Sequence, residues 1–249
     1  MKLLKIIIVL YLCALSVNLS AQVVINVESG VSSIQRNDFS DGGTGSIISF
    51  VDDFDTGNKY NFRLGASWTD NSGLNIWFGK IVLIQYSTSG TFEEAKTFEG
   101  ATFQPGAPVF SDYQFNGYRF GYSRVFLKQE KMNARAGITL NIRQGGVSVE
   151  DNQKKASFSD DGVPVLPLLN AGFEYLPFEK LTLAFEFEGI YFGPAGSLLD
   201  GAFTLNLAII DKLSLFGGYR RFQGVGDQPG LFFNDLIINS VIGGVKIEF

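Results

Sequence analysis

The stretch Asp235-Leu-Ile-Ile-Asn-Ser-Val-Ile-Gly-Gly-Val-Lys-Ile-Glu-Phe249 decides the fold. Side chains alternate across a β-strand with a period of two. At that period Ile237, Val241, Val245, Ile247 and the terminal Phe249 share one face, while Ser240, Lys246 and Glu248 share the other. A strand with one largely apolar face needs a hydrophobic surface beside it. The same alternation recurs upstream. Tyr60, Phe62, Leu64, Ala66 and Trp68 oppose Asn61, Arg63, Ser67 and Thr69, and Ala134, Ala136, Ile138, Leu140 and Ile142 oppose Arg135, Thr139, Asn141 and Arg143. Leu181, Leu183, Phe185 and Phe187 oppose Thr182, Glu186 and Glu188, and Phe203, Leu205, Leu207 and Ile209 oppose Thr204 and Asn206.

Carried along the chain, the pattern predicts ten strands at roughly 23–36, 58–69, 74–87, 113–127, 134–149, 166–175, 181–193, 201–209, 213–222 and 235–249. One hairpin divided differently gives eight or twelve. The connections alternate in length. Those at 70–73, 128–133, 176–180 and 210–212 are tight, whereas 37–57, 88–112, 150–165, 194–200 and 223–234 are longer. Short turns at one end and long loops at the other are the habit of barrels that span a membrane. A secreted sandwich has no reason to sort its loops so. Turning one of the inward arginines to lipid at mid-depth would cost about 2–4 kcal/mol, so energy and pattern choose the same outer face.

The start of the chain reads as a signal peptide over 1–21. Lys2 and Lys5 precede an apolar run from Ile6 to Leu15, and small residues lead to a cut after Ala21. The run is too short for a transmembrane helix, which needs about 20 apolar residues. Cys13, the only cysteine, lies within it, so the mature chain at 22–249 has no thiol chemistry. Losing Lys2 and Lys5 takes the net charge from −5 to −7. Nucleic acid is excluded as a partner, because binding phosphates requires a basic surface.

The segment Leu213-Ser-Leu-Phe-Gly-Gly-Tyr-Arg-Arg-Phe222, followed by the closing strand, resembles the ending of small outer-membrane β-barrel proteins of Gram-negative bacteria, the OmpA-like, OmpX-like and OmpW-like group. The resemblance implies an all-β fold, a closed antiparallel up-and-down transmembrane barrel surrounded by outer-membrane lipid. It also implies that Phe249 belongs to the signal read by the barrel-assembly machinery during biogenesis. The smaller members of that group have eight strands.

The chain contains no histidine. Outer-membrane phospholipases, lipid A deacylases and omptin-type proteases rely on a catalytic histidine, which activates serine or water. Without histidine or a mature cysteine, no transition-metal site and no cofactor is expected. Glu186 and Glu188 form a same-face carboxylate pair of the kind used in glycoside hydrolysis. Inward arginines offer both a partner, and a salt-bridged pair is the better reading.

With the short turns placed in the periplasm, Arg135, Glu174, Glu186, Glu188, Lys246 and Glu248 point into the lower lumen as a charge plug. The same phase turns Leu83, Ile190, Phe192, Leu236, Ile238 and Ile242 inward near the cell surface, as an apolar pocket for a hydrophobic small molecule. A bulge at Gly243-Gly244 would exchange the faces of the last strand. The two longest loops carry Phe39, Phe50, Phe54, Phe92, Phe98, Phe103 and Phe110, which either contact a protein partner or fold over the mouth. The sequence therefore points to a non-enzymatic barrel, structural or binding and passing a small molecule. A surface-loop interaction subunit is the alternative, and a hydrolase using carboxylates alone ranks last.

Overall fold

The computed structural model describes residues 22–42, 45–159, 165–228 and 232–249. The expected signal peptide lies outside them. Ten long strands form the barrel wall: β1 (Gln22–Ser40), β2 (Asn58–Thr69), β3 (Asn75–Leu83, resuming as Gln85–Thr91), β4 (Pro108–Lys128), β5 (Met132–Glu150), β6 (Val165–Phe178), β7 (Leu181–Tyr191), β8 (Gly196–Ile210), β9 (Leu213–Gln228) and β10 (Phe232–Glu248). Each pairs antiparallel with its sequence neighbours, and β1 pairs with β10 from Val24 opposite Glu248 to Ser40 opposite Phe233. At the seam the Phe249 N–H donates to the Val23 carbonyl at 2.9 Å. The ring is closed. Closure leaves no strand edge facing lipid, where an unpaired N–H or C=O would find no water.

The outer face is apolar. Phe120, Ile138, Leu169, Phe185, Leu205 and Val241 are all exposed on it, with Trp68 stacked on Trp77 at 4.4 Å near the short-turn end. These side chains have no protein to cover them, so lipid must. The register runs through Gly243 and Gly244 without a bulge, and the faces of β10 are not exchanged.

Several strands reach well beyond the apolar belt. A span needs about 9–11 residues, and β4 has 21. Its lipid-facing residues run from Tyr118 to Phe126, while Val109, Tyr113 and Phe115 are buried above them. The loops expected at 194–200 and 223–234 are largely strand as well. Backbone pairing needs no apolar side chains once the strands are clear of lipid, so hydrophobic period alone sees their lower parts only.

Above the wall, residues 45–57 and 92–107 fold over the mouth. A small hairpin, Lys96–Phe98 with Ala101–Phe103, turns at Glu99 and Gly100, both at positive φ. It is tied to the first loop by Ser46 N–H to Thr97 O at 2.8 Å and Glu99 N–H to an Asp41 carboxylate oxygen at 2.5 Å. Of the seven loop phenylalanines, Phe39, Phe50, Phe54, Phe92, Phe98 and Phe103 are buried, and only Phe110 is exposed. Phe50 packs against Phe54, Tyr86 and Tyr113 at ring distances of 5.4, 6.1 and 5.4 Å. Tyr86 and Tyr113 thus sit inside the cap.

Candidate functional site

Across the middle of the lumen lies a belt of paired charges. Asp200 on β8 accepts from Arg63 on β2 at 2.7 Å, Arg119 on β4 at 2.7 Å and Arg220 on β9 at 2.8 Å. Arg220 also grips Glu28 on β1 with two guanidinium nitrogens, at 2.8 and 2.9 Å. Arg119 donates to Glu188 on β7 at 2.5 Å. Three cations meet three carboxylates, so the belt is neutral. Polar residues take up more of the valences: Thr139 donates to Glu188 at 3.2 Å, and the Asn141 side-chain oxygen accepts from Arg119 at 3.3 Å. Such pairing is what allows charge to stay buried, since each ion alone would be costly to desolvate.

On the cell-surface side of the belt, Asn61 donates to the hydroxyls of Ser32 and Ser240 at 2.7 and 2.9 Å. Beyond them the lumen is packed with apolar side chains. Ile34, Ile84, Phe115, Leu198, Phe222, Leu236 and Ile238 join the cap phenylalanines in one continuous core. Leu236 and Ile238 thus lie where the sequence placed them, and Ile190 packs against the same core. They belong to a filled core, where the cavity beside Ile34, Phe222 and Ile238 holds only about 20 Å3. Ile242 lies apart, below the belt, with Ala202 and Phe216.

Leu83 and Phe192 are misplaced by the sequence reading. Leu83 pairs with Phe62 on the lipid face, because Lys80 and Val82 take the lumen side of β3. That strand is apolar on both faces, so only the need to pair Lys80 sets its phase. Phe192 lies beyond the end of β7, where a one-turn 3-10 segment at Gly193–Ala195 leaves it exposed.

Below the belt the lumen opens. A cavity of about 390 Å3 runs to the short-turn end, lined by all six residues expected to form the charge plug: Arg135, Glu174, Glu186, Glu188, Lys246 and Glu248. Arg135 bridges Glu186 at 3.1 Å and Glu174 at 3.4 Å, and Lys80 lies 3.8 Å from Glu186 and 3.4 Å from Glu188. The charges below the belt line the wall of a vestibule instead of filling it. The seal lies one layer higher, where of those six only Glu188 takes part. Arg63 stood on a polar face in the sequence, Glu28 and Arg220 lie within the predicted strands 23–36 and 213–222, and Asp200 is found by carrying the lumen phase of β8 one residue back. Phe249 closes the seam at the periplasmic end, its side chain exposed. Glu186 and Glu188 are both engaged by cations, which leaves neither poised as a free acid-base pair.

No protein-family model matches the chain, and no curated protein matches it in sequence. Solved structures do. The outer-membrane protease OmpT from Escherichia coli is similar at a TM-score of 0.57 with 10% identity, over 92% of this chain and 97% of that one. Ail, the attachment invasion locus protein of Yersinia pestis, gives 0.38 at 10% identity, over 91% and 98%. The toluene transporter TodX from P. putida gives 0.37 at 10% identity, over 92% and 90%. A closed ten-strand barrel with an apolar outer face and a charged interior defines the class. This chain has the fold of the small outer-membrane β-barrel proteins, and its closed ring and apolar outer face suit a membrane.

Proposed function

We propose that this protein is a non-enzymatic barrel that conducts no ions and holds a small molecule in its periplasmic vestibule. The belt carries this reading. An ion crossing it would have to displace carboxylates already saturated by three guanidiniums, then pass a dry core above. A porin needs a wet path through, whereas the vestibule is blind. Its volume falls within the range of about 300–1,000 Å3 common for ligand sites. The similarity to a protease extends to the fold, while the chain lacks histidine, the base such barrel hydrolases use.

Planar-bilayer recording tests this. Pure protein should insert without large, stable conductance steps. Steps of porin size from verified, heat-modifiable protein would overturn the sealed reading.

A further inference from the structure

We infer that the vestibule selects a small organic anion with an apolar body, and that Lys246 is the residue that recognises its charge. The inference rests on the vestibule being a blind binding site. Its wall below the belt carries four cations, Lys80, Lys128, Arg135 and Lys246, against three carboxylates, Glu174, Glu186 and Glu248. In a chain of net charge −5 this excess runs against the whole.

Two of the four wall cations have no close carboxylate among the described residues: Lys128, the last residue of β4 at the short-turn end, and Lys246 within β10. Arg135 and Lys80 are shared among Glu174, Glu186 and Glu188. Among the described residues, Lys246 has no carboxylate within 4.0 Å, and its ammonium stands 5.6 Å from the centre of the Phe216 ring. The barrel register places its neighbours. Lys246 lies opposite Asn26, Asn26 opposite Gly65, and Gly65 opposite Lys80. Among the described residues Asn26 makes no side-chain hydrogen bond, although its amide oxygen is buried. Gly65 contributes no side chain, which leaves space in that row between the two lysines. An ammonium and an uncommitted amide around an open position suit a carboxylate or sulfonate, and both are strengthened by partial removal from water. Val24, Ile76, Phe78 and Val125 line the same cavity and offer a surface to an apolar body.

The test uses the full barrel in lipid nanodiscs, with lipid-only discs subtracted. The probes are 1-naphthalenesulfonate and the neutral 1-naphthalenemethanol. The sulfonate should bind the wild type, and Lys246→Gln should weaken it about tenfold. Lys246→Arg should restore binding, and Lys131→Gln, outside the vestibule, should leave it unchanged. The alcohol should bind more weakly and be indifferent to Lys246→Gln. Heat-modifiable migration confirms that each variant is folded. If both probes bind alike regardless of residue 246, the vestibule stands and the anion preference is overturned. If neither binds the wild type, the blind-site reading falls as well.

Discussion

The guanidinium of Arg119 meets the carboxylate of Asp200 at 2.7 Å in the centre of the barrel, with both side chains at most 2% exposed. Their strands, β4 and β8, stand far apart around the ring, so this contact ties one wall to the other. Removing one partner leaves charges buried without compensation.

Asp200→Asn should therefore destabilise the barrel by about 3–5 kcal/mol, because Arg63, Arg119 and Arg220 lose their common acceptor. Glu174→Gln, whose partner Arg135 sits at the wetter vestibule wall, should cost less than about 1 kcal/mol. Urea unfolding in lipid bilayers measures both, and equal losses would contradict the distinction drawn between belt and wall.

Phe50→Ala should loosen the cap while leaving the barrel folded. Phe50 is fully buried among three aromatic rings, and deleting such a side chain costs about 3–5 kcal/mol. Limited proteolysis within 45–57 should accelerate in the variant, with heat-modifiable migration retained. Phe110→Ala, on the surface, should behave as the wild type.

The cap should tighten in mild acid. Burial raises the Asp53 carboxyl above its ordinary range despite the Ser49 N–H bond to it, and burial, then the nearby Asp41, raises Glu99. A carboxyl raised on folding binds its proton more tightly in the folded state. Its contribution is fully present below the unfolded value and is lost as pH rises through the folded one. Protease resistance of 45–57 and 92–107 should increase as pH falls from neutrality towards the carboxylate range, and Asp53→Asn should flatten that response. A decrease with acid would show that another group governs the cap.

The turn at 70–74 should respond in the opposite sense. Asn75 and Ser72 donate to Asp70, and these bonds hold its carboxyl well below the usual carboxylate range. Its contribution is present above the unfolded value and is lost only as pH falls through the depressed folded one. The Leu74 and Asn75 amides, which also donate to Asp70 at 3.2 Å, should stay protected from hydrogen exchange through mildly acidic pH. Asp70→Ala should expose them at neutral pH.

The lipid face offers a further check. Leu205→Arg, exposed on the outer surface of β8, should cost about 2–4 kcal/mol if it lies at mid-depth. A neutral effect on folding into bilayers would place that residue at an interface.

The sequence by itself determined the barrel. Alternation at Tyr60–Trp68, Ala134–Ile142 and Phe203–Ile209 is local, and lipid rewards one phase of each strand independently of the others. The strand count and the face of β10 follow from it, as do the inward positions of Arg135, Glu186, Glu188 and Lys246. Alternation was mute where both faces are apolar, as at Leu83, and where strands leave the lipid, as at Asp200. Only the tertiary structure decided which charges meet. Glu28 and Arg220 are 192 residues apart, and Arg63 and Asp200 are 137 apart. Their pairing depends on the closure of β1 on β10 and on the depth each side chain reaches across the lumen. The same closure turned the loop phenylalanines from a candidate interface into a core, because six rings over one mouth bury more apolar surface against each other than water would allow them to expose.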